Sequence, residues 1–184
     1  MSDAEIAAYK KKAKKNEKFN EEIVWELPQS GAGFVVYNRN DVPRDGLDQI
    51  GTKETVEAVI RIAQEWNSFH SDQKLQIGDL SRPGGLDTSE HGTHNVGMAW
   101  DMRILRKDKA HLPMALNAST SEHPQYDRDG TKEFIRLARR LYSETTIYFN
   151  DKTILNDAEF KDIVEARPKH WDHLHVMPYR KGRE

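Results

Sequence analysis

What most confines the fold of this 184-residue chain is that its apolar residues come in short, interrupted runs. None approaches the roughly 20 apolar residues needed to cross a bilayer, and strand-like and helix-like stretches are mixed along the chain. Ile23-Val24-Trp25-Glu26-Leu27 and Gly33-Phe34-Val35-Val36-Tyr37 are β-branched and aromatic, are separated by Pro28 and Gly31, and are predicted to be extended. Thr52 then precedes Glu54 and Glu57, and Val56, Val59, Ile60, Ala63, Trp66 and His70 recur at three- and four-residue spacing. That period predicts a helix of about five turns, with His70 as a helix-end or packing residue rather than a ligand. Leu75 to Leu80 reads as a buried strand, left at Asp79 or soon after because Pro83 removes a ladder donor and Gly84-Gly85 favour irregular backbone. Val96 to Leu105 alternates as a further strand, which puts Trp100 and Asp101 on opposite faces. A second amphipathic helix opens at Thr131 with Phe134, Ile135, Ala138, Leu141 and Tyr142 on its apolar face, followed by a strand at Thr146 to Phe149. A third, short helix is expected around Asp157 to Ala166, burying Phe160, Ile163 and Val164, and the strand His173 to Met177 is halted by Pro178. Helices scattered among short strands, with no internal repeat, predict an α+β fold.

The predicted organisation is a lysine-rich tail or helix over residues 1–22 and a single domain over 23–184. Lys10, Lys11, Lys12, Lys14, Lys15 and Lys18 leave the first segment little to pack, so it reads as a solubilising extension. The formal net charge is −2, which supplies no global basic field for nucleic acid or anionic membrane. The start, Met1-Ser2-Asp3-Ala4-Glu5, lacks the charged-then-apolar layout of a secretory signal, so a soluble monomer without integral membrane association is expected. Residues 106–130 show no period, and so long a stretch is either a functional loop beside the site or disordered. There are no cysteines, which excludes disulfides, thiolate catalysis and cysteine-type zinc fingers. His, Asp and Glu remain as the strong metal ligands.

Five of the eight histidines fall into two groups, His91/His94 and His170/His173/His175. In a strand, His173 and His175 project from one face, so both imidazoles can address one point. His94 and Asp101, seven apart with Gly97 between them, reach the same point if their strand neighbours that of His175. Two His and one Asp suit Zn2+ and leave a fourth position open for water, which implies catalysis more than structure. His94, Asp101 and His175 are the candidate ligands, and His173 is the candidate base for hydrolysis of an amide. His91 and His170 are either supporting residues of the centre or ordinary polar surface. His111 and His123 lie in the long unpatterned stretch and are read as exposed. Core packing is expected of Trp100, and either core or a substrate-cleft wall of Trp171. A TIM-barrel amidohydrolase needs a longer chain and a cupin more strands, so other H-x-H metalloproteins fit poorly.

His94-Asn95-Val96-Gly97-Met98-Ala99-Trp100-Asp101 and His173-Leu174-His175 together resemble the H-x6-D and H-x-H elements of the LAS metallopeptidases, in the expected order. Gly78-Asp79-Leu80-Ser81 followed by Gly84-Gly85, then His91-x-x-His94 and His170-x-x-His173-x-His175, is similar to the penicillin-insensitive murein endopeptidases. The resemblance runs from about Gly33 to Pro178 and is concentrated at 77–103 and 170–178. It implies a small antiparallel sheet flanked by helices and a zinc peptidase that cuts the peptide cross-links of bacterial peptidoglycan. It also implies His94, Asp101 and His175 as ligands with His173 beside the metal, and makes Asp79 a supporting candidate. The Gly97-x-Ala99-x-Asp101 spelling also resembles the D-Ala-D-Ala carboxypeptidase and dipeptidase branch, whose base is usually a Glu. A near-metal His173 favours the endopeptidase branch.

A catalytically silent zinc-binding or wall-binding module, with His91 or His170 as fourth ligand, is the expectation from outside enzymology. Wall peptides carry carboxylates, and Arg82 and Arg103 are the nearest cations in sequence, each equally readable as half of a surface ion pair. Without a leader or cysteines, which periplasmic murein endopeptidases carry, the chain is expected to be made in a bacterial or phage-infected cytoplasm. It would then act on the wall after lysis or specialised secretion.

Overall fold

The computed structural model describes residues 1–13, 17–37, 48–86 and 94–179. His91 lies outside them, so its expected role has no structural counterpart below.

The chain opens with α1 (Asp3–Lys12), begun by a capping box in which Ser2 and Glu5 satisfy each other's backbone. This helix buries no side chain, as its lysines predict. It is nevertheless tethered: the Met1 ammonium donates to the Val24 carbonyl at 3.1 Å and Lys10 pairs with Glu21 at 2.6 Å.

Two short strands, β1 (Trp25–Glu26) and β4 (Ile50–Gly51), form a separate antiparallel ribbon. The main sheet has seven strands in the order β2 (Ser30–Gly31), β3 (Phe34–Val36), β5 (Leu75–Ile77), β6 (Trp100–Arg103), β9 (His173–Met177), β7 (Thr146–Tyr148) and β8 (Val164–Glu165). With α2 (Lys53–Phe69), α3 (Arg128–Leu141) and α4 (Lys152–Leu155), the fold is α+β. A small antiparallel sheet is thus present in the β1/β4 ribbon, but the main sheet is mixed rather than wholly antiparallel. β3/β5 and β7/β8 are parallel, and the other pairings are antiparallel. The cause is the connections. α2 intervenes between β3 and β5, and α4 with the turns after it intervenes between β7 and β8. A crossover of that kind returns the chain in the same direction, whereas a tight hairpin reverses it.

Helix α2 is where the period placed it. Thr52 caps it by accepting from the Thr55 amide, and Val56, Val59, Ile62, Ala63 and Trp66 face the core. Each fully buried aliphatic side chain there contributes about 1.5–3 kcal/mol. His70 ends the helix and stacks on Trp66 with ring centroids 3.9 Å apart. Helix α3, capped by Asp127, buries Phe134, Ile135 and Ala138, and Phe134 meets Trp66 edge-on at 6.4 Å. No described helix is long and apolar enough to cross a membrane.

Two elements differ from expectation. The third helix is α4, several residues earlier than predicted, and residues 158–163 form turns before β8. Phe160, Ile163 and Val164 are buried as expected, but turns and a strand end can present that spacing as well as a helix can. The strand expected from Val96 begins only at Trp100. His94–Val96 is a 3-10 turn, and Gly97 follows at φ +63°, a left-handed conformation that interrupts any extended run.

Residues 107–125 lack regular structure but are anchored. Arg106 and Tyr126 form an isolated bridge, Met114 and Leu116 are buried, and the Leu116 amide donates to the Trp171 carbonyl at 2.8 Å. The Tyr126 hydroxyl and Arg128 Nε both donate to Asp151 Oδ2, at 2.8 and 2.7 Å.

Candidate metal centre

The centre is built on β6, the middle strand of the seven-stranded sheet, and on its neighbour β9. In the β6/β9 register Asp101 lies directly opposite His175 and Arg103 opposite His173, so alternation puts all four on one face. On the other side of β9, Tyr148 is also the register partner of His175. Asp101, His175 and Tyr148 thus form one row across three strands, and the Tyr148 ring stacks on the His175 imidazole at 5.4 Å and 14°.

His94 reaches this row from the 3-10 turn. Gly97 lets the chain double back between the turn and β6, and the Gly97 carbonyl is held by the Thr52 amide at 3.1 Å. The His94 Nδ1 bonds to the Leu80 carbonyl, which leaves Nε2 directed at Asp101 Oδ1, 3.4 Å away. His175 Nδ1 lies 2.8 Å from the same oxygen, and His173 Nε2 lies 3.9 Å from it. One carboxylate oxygen is therefore addressed by three imidazoles.

His94, Asp101 and His175 are 3, 5 and 1% exposed, and their candidate ligand atoms lie within 4.8 Å of one another. A buried carboxylate facing two buried imidazole nitrogens matches the donor set of a borderline-soft divalent cation. This cluster can hold a metal ion, and it is the set of that kind among the described residues. Burial opposes the charge on Asp101, yet the hydrogen bonds from His175 and His94 outweigh it and hold the carboxyl well below its usual range. Burial likewise opposes protonation of His94, but Asp101 and the Leu80 carbonyl raise it overall. For His175 burial wins, and its pKa is lowered.

His173 is half-buried. Its Nδ1 lies 2.7 Å from Asp172 Oδ1, which selects the tautomer with the proton on Nδ1 and Nε2 as acceptor. Burial works against its charged form, while Asp172 and Asp101 together raise its pKa. His170 is buried beside it, 4.8 Å ring to ring, and its Nδ1 is engaged with the Pro168 carbonyl at 2.8 Å. Burial, then the neighbouring His173, lowers the pKa of His170. It contacts the cluster as a flanking ring.

The remaining candidates are spread around these four. Asp79 meets β6 through its backbone, its carbonyl accepting from the Asp101 amide at 2.8 Å. Arg103 donates to Gln76 Oε1 at 3.2 Å and lies 4.1 Å over the Tyr37 ring. Arg82 precedes a 3-10 turn at Pro83–Gly85, which packs against the turn carrying His94. His111 is exposed, and His123 accepts from the Gln125 amide at 3.1 Å. Trp100 is 1% exposed in the core, whereas Trp171 is only partly buried.

Three neighbours of the centre were not singled out from sequence. Tyr148 becomes visible only once β7 is known to flank β9. Asp172 carried a signal, an acid adjoining a candidate base. Tyr37 follows β3, and its hydroxyl reaches Gly78 so closely that a Cβ there would lie 2.1 Å from it. Burial, followed by the charges of Asp101 and Asp79, pushes the Tyr37 hydroxyl pKa well up, so it stays a neutral donor beside the cluster.

Fold and site together define an α+β protein with a two-histidine, one-aspartate cluster at the centre of its sheet. Set against known proteins, the chain matches no family model and no curated protein sequence.

Proposed function

We propose that the protein is a zinc-dependent endopeptidase of LAS type that hydrolyses the peptide cross-links of bacterial peptidoglycan. The observation that carries this reading is the convergence of His94, Asp101 and His175 with His173 beside them, in the H-x6-D and H-x-H spacing of that family. His94, Asp101 and His175 would hold the ion. Bound there, zinc supplies a Lewis acid for the scissile carbonyl and acidifies water towards a pKa of about 7.

The chain's own residues supply the rest. His173 Nε2 takes a proton from the attacking water and returns it to the departing amine, which balances the hydrolysis. Asp172 Oδ1 accepts from His173 Nδ1–H throughout, so the ring stays oriented and its cationic form is stabilised. Tyr148 and the Leu80 carbonyl fix the orientations of His175 and His94.

The test is incubation of purified, zinc-replete protein with defined cross-linked muropeptide dimers, with and without chelator, read by mass. The expected outcome is chelator-sensitive conversion of dimer to monomers. Loss of a terminal D-Ala instead would assign the D-Ala-D-Ala carboxypeptidase or dipeptidase reaction. Metal bound without cleavage of any wall chemistry tried would leave a silent zinc-binding or wall-binding module.

A further inference from the structure

The three candidate ligands are not held in the same way. Asp101 and His175 face each other across the β6/β9 ladder, whereas His94 sits in a 3-10 turn that belongs to no strand. A ligand on a turn keeps its place only if the turn is locked by what packs against it.

Ile23 is what packs there. A Cβ on Gly97, the residue that ends the His94 turn, would lie 2.9 Å from Ile23 Cγ1 and 3.0 Å from Ile23 Cγ2. A Cβ on Gly85 would lie 2.2 Å from the Asn95 carbonyl oxygen and 3.1 Å from Ile23 Cδ1. Ile23 therefore wedges between the turn at Pro83–Gly85 and the turn that carries His94, while Gly85 backs onto the latter from its own side. The wedge is fully buried, yet it is not part of the main apolar core, which gathers on α2, α3 and the large sheet.

The residues before Ile23 hold it in position. Asn20 Oδ1 accepts from the Glu22 amide at 3.0 Å and the Asn20 carbonyl accepts from the Ile23 amide at 3.2 Å, which closes a tight turn. That turn is tied to Gly84 in both directions: the Asn20 amide donates to the Gly84 carbonyl at 2.9 Å, and the Gly84 amide donates to the Ile23 carbonyl at 2.8 Å. Phe19 lies over Gly84 so closely that a Cβ there would be 2.3 Å from its ring.

We propose that residues 19–23 are a strap that positions His94 for metal, with Ile23 as its wedge. The strap acts through the His94 turn rather than on the ion. When it loosens, the turn can slide away from β6 and withdraw one donor of three, while Asp101 and His175 stay paired across the ladder. The inference rests on metal binding by the cluster and not on the reaction assigned to it.

The experiment is the zinc affinity of the full chain, measured by competition with a chromophoric chelator at a temperature where every variant is folded. Ile23→Ala is expected to weaken binding about tenfold or more, the scale of losing a group that orients a ligand. Ile23→Val keeps both γ carbons against Gly97 and should retain most of the affinity. Phe19 is only half-buried, so Phe19→Ala tests the strap at less risk to folding and should weaken binding by a smaller factor. Ile135→Ala, in the core face of α3, is the control: its thermal midpoint should fall while its zinc affinity stays at the wild-type value. Equal affinity in wild type, Ile23→Ala and Phe19→Ala would overturn the strap. So would an equal loss in Ile135→Ala, which would trace the effect to general stability. A wild type that binds no zinc would remove the metal centre and the strap together. The expected affinity series in a chain that cleaves no muropeptide would remove the peptidase reading and leave the strap.

Discussion

Asp101 Oδ1 is the atom on which the centre turns, because His94, His173 and His175 all face it. Their distances differ, and so do the consequences of losing each. Replacing His94, Asp101 or His175 by Ala removes a donor and is expected to abolish zinc binding together with activity. His173 is held by Asp172 rather than by the ligand row, so His173→Ala should retain the metal and lose about 10²-fold or more in rate. Metal analysis and turnover, measured on the same four preparations, separate the roles, and equal loss of zinc from all four would refute the split. The cluster was partly legible in the sequence, because the spacing of His173 and His175 translates directly into one strand face, whereas His94 reaches it from a 3-10 turn that no strand period encodes. Tyr37 and Tyr148 were not, since each is brought to the centre by a pairing between distant segments. Asp172 was in plain view, but an acid next to a histidine acquires meaning only when the ring is seen to turn towards it.

At the scale of elements, periodicity located α2 and α3 to within a few residues, because each buries a continuous stripe behind a capping side chain. It misplaced the third helix, where an apolar spacing is met by turns instead. It also gave no strand order, and the parallel pairs follow from crossovers whose lengths a periodic pattern does not encode. One crossover depends on a single glycine. Gly33 sits at φ +81° in the turn between β2 and β3, and a Cβ there would lie 1.9 Å from the Ala63 carbonyl of α2. Its own carbonyl accepts from the Leu75 amide at the start of β5. Gly33→Ala is therefore expected to destabilise the fold by about 1–3 kcal/mol from backbone strain alone, with the clash against α2 added. Denaturant unfolding measures this, and a midpoint equal to wild type would show that α2 can shift at no cost.

Over the whole molecule, the irregular stretch between β6 and α3 is kept in place by a buried ionic junction. Asp151 is fully buried, accepts from Tyr126 and Arg128, and caps α4 through the Thr153 and Ile154 amides. Removing the carboxylate leaves a partly buried guanidinium and a buried hydroxyl with one acceptor fewer, and uncaps the helix. Asp151→Ala is expected to lower stability by about 3–5 kcal/mol, the usual cost of breaking a buried pair from one side. Unfolding curves within about 1 kcal/mol of wild type would mean that the junction is incidental. The sequence reads this stretch as patternless, either a functional loop or disordered, and the structure anchors it, with the Leu116 amide bonded to the Trp171 carbonyl. What anchors it is a set of polar contacts spanning more than twenty residues, which leaves no local period to read.

The seven-stranded sheet also tapers. Its outermost strands, β2 and β8, are two residues each, while its longest, β9, lies inside. Among the described residues, a foreign strand approaching those margins therefore meets edges only two residues long, short templates for the pairing that drives aggregation.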